Sequence, residues 1–158
     1  MEFNLIAILV AALVPLVLGF VWYGPMLFQN VWMRESGVTE EKIKSGNMAV
    51  IFGISLLFSV ILAFFTQFLV VHEMGVMGMT EGQIEGETTQ AFLAEWSGKY
   101  RSFGHGALHG AFAGVMFVLP VMATNGLFER KSWKLILINA GYWTLALAIM
   151  GAIISGWV

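Results

Sequence analysis

The chain contains no cysteine and no aspartate. The first absence removes disulfides, thiolate nucleophiles and cysteine-ligated zinc together. The second leaves glutamate as the sole side-chain carboxylate. Charge of either sign is scarce: 11% of the 158 residues are charged, against about 25% in a soluble domain. The net charge of −2 provides no basic footprint, which excludes nucleic acid as a partner. A glycine-rich phosphate loop, a serine–histidine–acid arrangement and a carboxylate pair within an apolar run are all missing as well. These absences predict a protein that is not an enzyme and carries no cofactor.

Apolar residues take up the space. They make 58% of the chain, and the mean hydropathy is +0.80. Four uncharged runs give spans at about 3–23, 48–71, 106–127 and 135–157. Each reaches the roughly 20 residues needed to cross a hydrocarbon core as helix. Backbone groups in lipid must be satisfied internally, and runs this long without alternation are not barrel strands. The expected fold is all-α: one polytopic membrane domain over residues 1–158, with four transmembrane helices in two hairpins. Glu2 and the lack of a small-x-small cleavage site make the first run a retained span rather than a cleaved signal.

Loop charges set the orientation. The first loop carries Arg34, Lys42 and Lys44, and the third carries Arg130, Lys131 and Lys134. The second, residues 73–105, has only Lys99 and Arg101 among five glutamates. Basic loops stay cytoplasmic, so both termini and the acidic loop should face outward. Trp22, Tyr23, Trp32 and Trp133 would form the inner aromatic belt, and Trp96, Tyr100 and Trp157 the outer one. Gly24-Pro25 should stop the first helix, and Thr39 before Glu40 and Glu41 should cap a short interfacial one. GVMGM (75–79) reads as flexible, with a short surface helix following within 80–100. LFQNVW (27–32) and LFERKSW (127–133) form a loose internal echo.

GHGALHGAFAG (104–114) combines two features. Gly106, Gly110 and Gly114 make a small-residue stripe that admits a close neighbour. Ala140, Thr144, Ala148, Ala152 and Gly156 make a second stripe, and Ser55, Ser59 and Ala63 a third. These stripes serve either packing within the bundle or an oligomer interface. Three of them in four helices lean the expectation towards a homo-oligomer in the lipid bilayer, with other membrane subunits as further partners. His105 and His109 lie i, i+4 on a face about 100° from the glycines, a spacing that can chelate one metal ion. His72 and Glu73 close the second span on the same side, which permits a polar or metal site of three histidines and a glutamate. Anchoring at the headgroups competes with that reading, and HExxH is absent.

Asn139, Tyr142 and Trp143, with Thr124 and Asn125, suggest an intramembrane polar cluster. An interhelical hydrogen-bond network is favoured there over a substrate site, as it is for Thr66 and Gln67. No charge lies inside a span, which argues against an ion-coupled transporter. Pro15 and Pro120 each remove one helical hydrogen bond and can kink the first and third spans, a weak signal of function.

FVWYGPMLFQNVWMRESG (20–37), GALHG (106–110), LPVMATNGLFERKSWKLILINAGYW (119–143) and MGAIISGW (150–157) resemble the bacterial membrane proteins catalogued as domain of unknown function 1761. The resemblance implies a small four-helix protein of a bacterial inner membrane and no particular activity. His109, Gly110, Asn125, Glu129, Arg130, Asn139 and Tyr142 fall in the matching blocks, and His72 does not. The functional expectation is a self-associating scaffold or accessory component. A small oligomeric channel or carrier is the alternative, and a metal-binding membrane enzyme using His105 and His109 ranks third.

Overall fold

A computed structural model describes residues 3–158. In chain order the helices are α1 (Leu5–Trp22), α2 (Gln29–Ser36), α3 (Glu40–Lys44), α4 (Met48–Val70), α5 (Glu73–Met79), α6 (Glu87–Trp96) and α7 (Phe103–Ala113). A π-helical turn (Gly114–Val118), α8 (Leu119–Phe128) and α9 (Trp133–Gly156) follow. The described residues form an all-α membrane protein. Four stretches are long and apolar enough to cross a bilayer: α1, α4, Phe103–Phe128 and α9.

Side-chain caps fix where the spans begin. Asn4 accepts from the Ala7 N–H, Asn47 from Val50, Ser102 from His105 and Ser132 from Leu135. Each satisfies one of the N–H groups that a helix start leaves orphaned. The third span therefore starts at Phe103 rather than 106, and the fourth at Trp133 rather than 135. A rule that reads only uncharged runs overlooks the cap. Thr39 caps α3 as expected, through the Lys42 N–H at 3.2 Å. The GVMGM stretch differs from its flexible reading. It belongs to α5, because Met74 and Val76 are buried against the bundle and offset the cost of Gly75 and Gly78.

α9 is the axis of the bundle, touching α1, α4, α7 and α8 along its length. The tightest packing lies at one end. Ala7, Ala11 and Ala12 of α1, Ala63 of α4, and Met150 and Ser155 of α9 are completely buried there. Lipid supplies no hydrophobic drive between helices, so such small residues work by close van der Waals approach. Towards the other end the bundle opens, since α4 packs on α7 but makes no comparable contact with α8. A groove of about 1080 Å³ runs there between α1, α4 and α9.

The glycine stripe packs on α9 within one chain, meeting Thr144 and Ala148 of the second stripe and also Leu147, Gly151 and Ser155 beside it. A Cβ on Gly106 would overlap the Gly151 carbonyl, and one on Gly110 would overlap the Leu147 carbonyl. At Gly114 it would sit 2.5 Å from the Thr144 Cα, and Phe103 covers Gly156 at the same distance. The Gly110 site also abuts the Ala148 backbone, while Ala140 is buried and Ala152 half-buried. The glycine face that suggested a subunit contact is thus already occupied by α9. Of the third stripe, Ser59 and Ala63 are buried and Ser55 is exposed.

Pro120 does not break the third span. The helix widens just before it, where the Leu119 N–H reaches the Gly114 carbonyl in an i→i+5 bond. Proline has no N–H and its ring crowds the carbonyl four residues back. A π turn placed there accommodates both.

The ends of the bundle differ. Trp22 Nε1 donates to the Ile138 carbonyl (3.1 Å), Tyr23 Oη to Asn139 Oδ1 (3.0 Å), and Glu35 faces Ser132. Loops one and three therefore share one end. At the other, Asn4 Nδ2 donates to the Trp157 carbonyl at 3.1 Å, beside the second loop.

Candidate metal centre

At that second end α4 stops at Val70 and the chain reverses into α5, leaving His72 at the corner. The α7 cap at Ser102 places His105 in the first turn and His109 one turn later, on the face turned towards α4. The three rings meet. Their centroids are 4.8 Å apart for His72–His105, 5.0 Å for His72–His109 and 4.5 Å for His105–His109. One nitrogen from each ring lies within 4.8 Å of the other two. His72 Nε2 and His105 Nε2 are 3.2 Å apart, one donating and the other accepting.

The spacing suits a small cation. Zn–N bonds of about 2.0–2.1 Å in tetrahedral geometry separate ligand nitrogens by about 3.3 Å. The His72–His105 pair already has this separation, and the widest gap would close by roughly 1.5 Å to match it. Binding would displace the proton that the pair shares. Ligating histidines usually donate their other ring N–H to a carbonyl or carboxylate, and the Leu69 carbonyl lies near His109. Tyr100 packs over His72 and His105, at centroid distances of 5.4 and 5.2 Å. His72 is exposed and the other two are half-buried, so solvent reaches the cluster from one side.

Glu73 stands apart from this cluster, contrary to the four-ligand expectation. Its carboxylate accepts from the Gly98 N–H (2.6 Å) and from Ser97 Oγ (3.3 Å). Partial burial alone would raise its pKa. The hydrogen bonds from Gly98, its own N–H and Ser97, with the nearby Arg101 charge, outweigh that and hold it below the usual carboxylate range. Glu73 instead ties the loop after α6 to the start of α5. Arg101 also points away from the histidines. Its Nε donates to the Ser155 carbonyl at 3.0 Å and its Nη2 to Ile154 at 3.4 Å. A cation at the carbonyl end of α9 meets both the orphan acceptors and the dipole. In sequence Tyr100 reads only as a belt aromatic and Arg101 only as a loop charge, although their position next to the Ser102 cap was a usable signal.

The intramembrane polar cluster forms only in part. Asn139 pairs with Tyr23, and Tyr142 Oη donates to the Pro15 carbonyl at 2.7 Å. Both bonds join α9 to the α1 end of the chain. Trp143 lines the groove. Asn125 is exposed on α8 and takes no part in these bonds, because it lies off the α9-facing side that Gly126 occupies against Ile136. Thr66 bonds its own helix at Leu62, and Gln67 meets the Met74 sulfur at 3.9 Å.

The helices and blocks just described define the class: a four-span membrane protein whose histidines gather at one end. Residues 6–155 match the family described as protein of unknown function (DUF1761), and the chain belongs to it. No curated protein and no solved structure matches.

Proposed function

We propose that this membrane protein binds a divalent transition-metal ion between His72, His105 and His109. The observation that carries the reading is the convergence of the chain's three histidines on one point, although His72 and His105 are 33 residues apart in sequence. Neutral imidazole suits zinc, copper and nickel. Three protein nitrogens with a solvent-facing side leave one position for water or another ligand, the pattern of open rather than closed sites. The loop charges support a centre on the outward face of a bacterial inner membrane. The scaffold reading draws on no observation as specific, since the glycine stripe it relied on is filled by α9, and the channel reading relied on a polar cluster of which Asn139 and Tyr142 are spent on bonds to Tyr23 and Pro15.

The test is native mass spectrometry of the protein in lipid discs, loaded with Co²⁺ and washed, alongside visible absorption of the bound cobalt. One ion per chain, with the intense d–d bands of low coordination number, is the expected outcome. His109→Ala and His72→Ala should each lose it. Equal cobalt retention by the protein lacking all three histidines would end the proposal.

A further inference from the structure

At the opposite end of the bundle, and independent of the histidines, the groove between α1, α4 and α9 calls for an occupant. We infer that it binds an uncharged single-chain amphiphile, with a hydroxyl-bearing head near Tyr23 and an apolar chain running towards Phe65.

Size and shape come first. Ligand sites occupy roughly 300–1,000 Å³ and are mostly apolar with a few convergent polar groups; this groove is about 1080 Å³. Its α4 wall runs from Ile51 to Phe65, a helical rise of about 21 Å. That is about two-thirds of a hydrocarbon core of roughly 30 Å, enough for one chain and its head. The space exists because small residues stand where the helices would otherwise close: Gly19 on α1, and Ser55 and Ser59 on α4. A Cβ on Gly19 would reach only ordinary contact, 3.7 Å from Tyr142 Oη.

Polarity then orients the ligand. Gln29, Trp32, Tyr23 and Ser55 lie towards the loop end, while Phe58, Ile61, Leu62 and Phe65 line the inner half. Charge decides the head. No charged side chain among the described residues lines the groove, so a buried carboxylate or phosphate would lack a charged partner and be costly. Tyr23 and Tyr142 already spend their O–H on Asn139 and Pro15. Their oxygens keep lone pairs that can accept, which suits a head that donates, as a hydroxyl does. A monoglyceride-like molecule has such a head and a single chain.

The test uses the whole protein in phosphatidylcholine discs, with tryptophan fluorescence read during titration by a monoacylglycerol brominated along its chain. Trp32 and Trp143 line the groove and should be quenched in a saturable manner, the effect vanishing in the Trp32→Phe, Trp143→Phe double variant. Ser55→Phe narrows the groove from α4 and should raise the half-saturation concentration at least fivefold. Gly19→Leu narrows it from α1 and should act alike, so a folding defect in one variant does not decide the matter. Ile54→Phe, on the lipid-exposed side of α4, should behave as wild type. A brominated fatty acid of the same chain should bind at least tenfold more weakly at pH 8. A brominated diacylglycerol binding as well as the monoglyceride would overturn the single-chain ligand. Unsaturable quenching that is equal in the Ser55 and Ile54 variants would overturn the site, and a fatty acid binding as well as the monoglyceride would overturn the neutral head.

Discussion

Adding one methyl group at Gly110 should have the opposite effect from adding the same group at Gly53. At Gly110 the new Cβ would collide with the Leu147 carbonyl, lying 2.6 Å from its carbon and 2.9 Å from the Ala148 Cα. Ordinary contact starts at 3.4 Å, so clearing the carbonyl carbon alone moves α7 off α9 by about 0.8 Å, and the oxygen, nearer still, demands more. The contact is backbone on backbone, and no side-chain rotation relieves it. A helix is stiff, so the displacement spreads to Gly106 and Gly114. A radial gap of about 0.5–1 Å forfeits a quarter to a half of each dispersion well. Overpacking of this sort costs about 1–3 kcal/mol, against a gain of about 1 kcal/mol in helix propensity for Ala over Gly. At Gly53 nothing lies within 4 Å of the added Cβ, so the propensity gain alone remains. The propensity gain is common to both, so the two variants should differ by the overpacking cost, about 1–3 kcal/mol, Gly53→Ala being the more stable. Unfolding in mixed micelles with rising dodecyl sulfate, followed by circular dichroism, measures the difference. A gap under about 0.5 kcal/mol would show that the stripe does not hold α7 to α9.

Three further outcomes follow from the same geometry. Arg101→Gln removes the cation from the carbonyl end of α9 and should cost about 0.3–1 kcal/mol, with faster amide exchange confined to Ile153–Trp157. Tyr23→Phe deletes the Asn139 bond and should cost about 0.6 kcal/mol, the average for interhelical bonds in membranes; a loss above about 2 kcal/mol would mean that Tyr23 does more than this. The Glu73 carboxyl has a folded pKa below its usual 4.5, so its stabilisation is complete above pH 4.5 and is lost as pH falls through the lowered value. Proteolysis near Ser97–Lys99 should accelerate over that acidic window in the wild type, and Glu73→Gln should cleave fast at every pH.

The spans were legible because lipid imposes one rule on every residue within them, and the orphan N–H groups of each helix start asked for caps that the chain supplies at Asn4, Asn47, Ser102 and Ser132. What occupies a small-residue face is a different matter. Gly106 and Gly110 state that something approaches closely, but a helix of the same chain and a helix of a second copy make the same demand of sequence. The groove was illegible for a related reason: Ser55 reads as a packing residue, and Gly19 carries no signal, until α4 proves to lean on α7 and away from α8. Adjacency to His72 says nothing about where the Glu73 carboxylate finds its donors, and these come from Ser97 and Gly98, more than twenty residues later.

GHGALHG serves the packing surface and the histidine cluster together. On a helix the glycines at 106 and 110 and the histidines at 105 and 109 keep the same four-residue step, offset by about 100°. One face brings the α7 backbone onto α9, and the adjacent face turns two imidazoles towards α4 and His72. The register of the first contact therefore sets the aim of the second. A shift of more than about 0.8 Å at Gly110 is not small beside the roughly 1.5 Å that the widest nitrogen pair must close to hold an ion at Zn–N distances. Gly110→Ala should accordingly weaken cobalt retention although it leaves every histidine in place, and Gly53→Ala should not. The loss should exceed tenfold, since metal sites respond by about 10–100-fold even to changes in the partners that orient their ligands. Full retention in Gly110→Ala would mean that the cluster is positioned by Tyr100 and the Ser102 cap, and that the stripe and the site are independent.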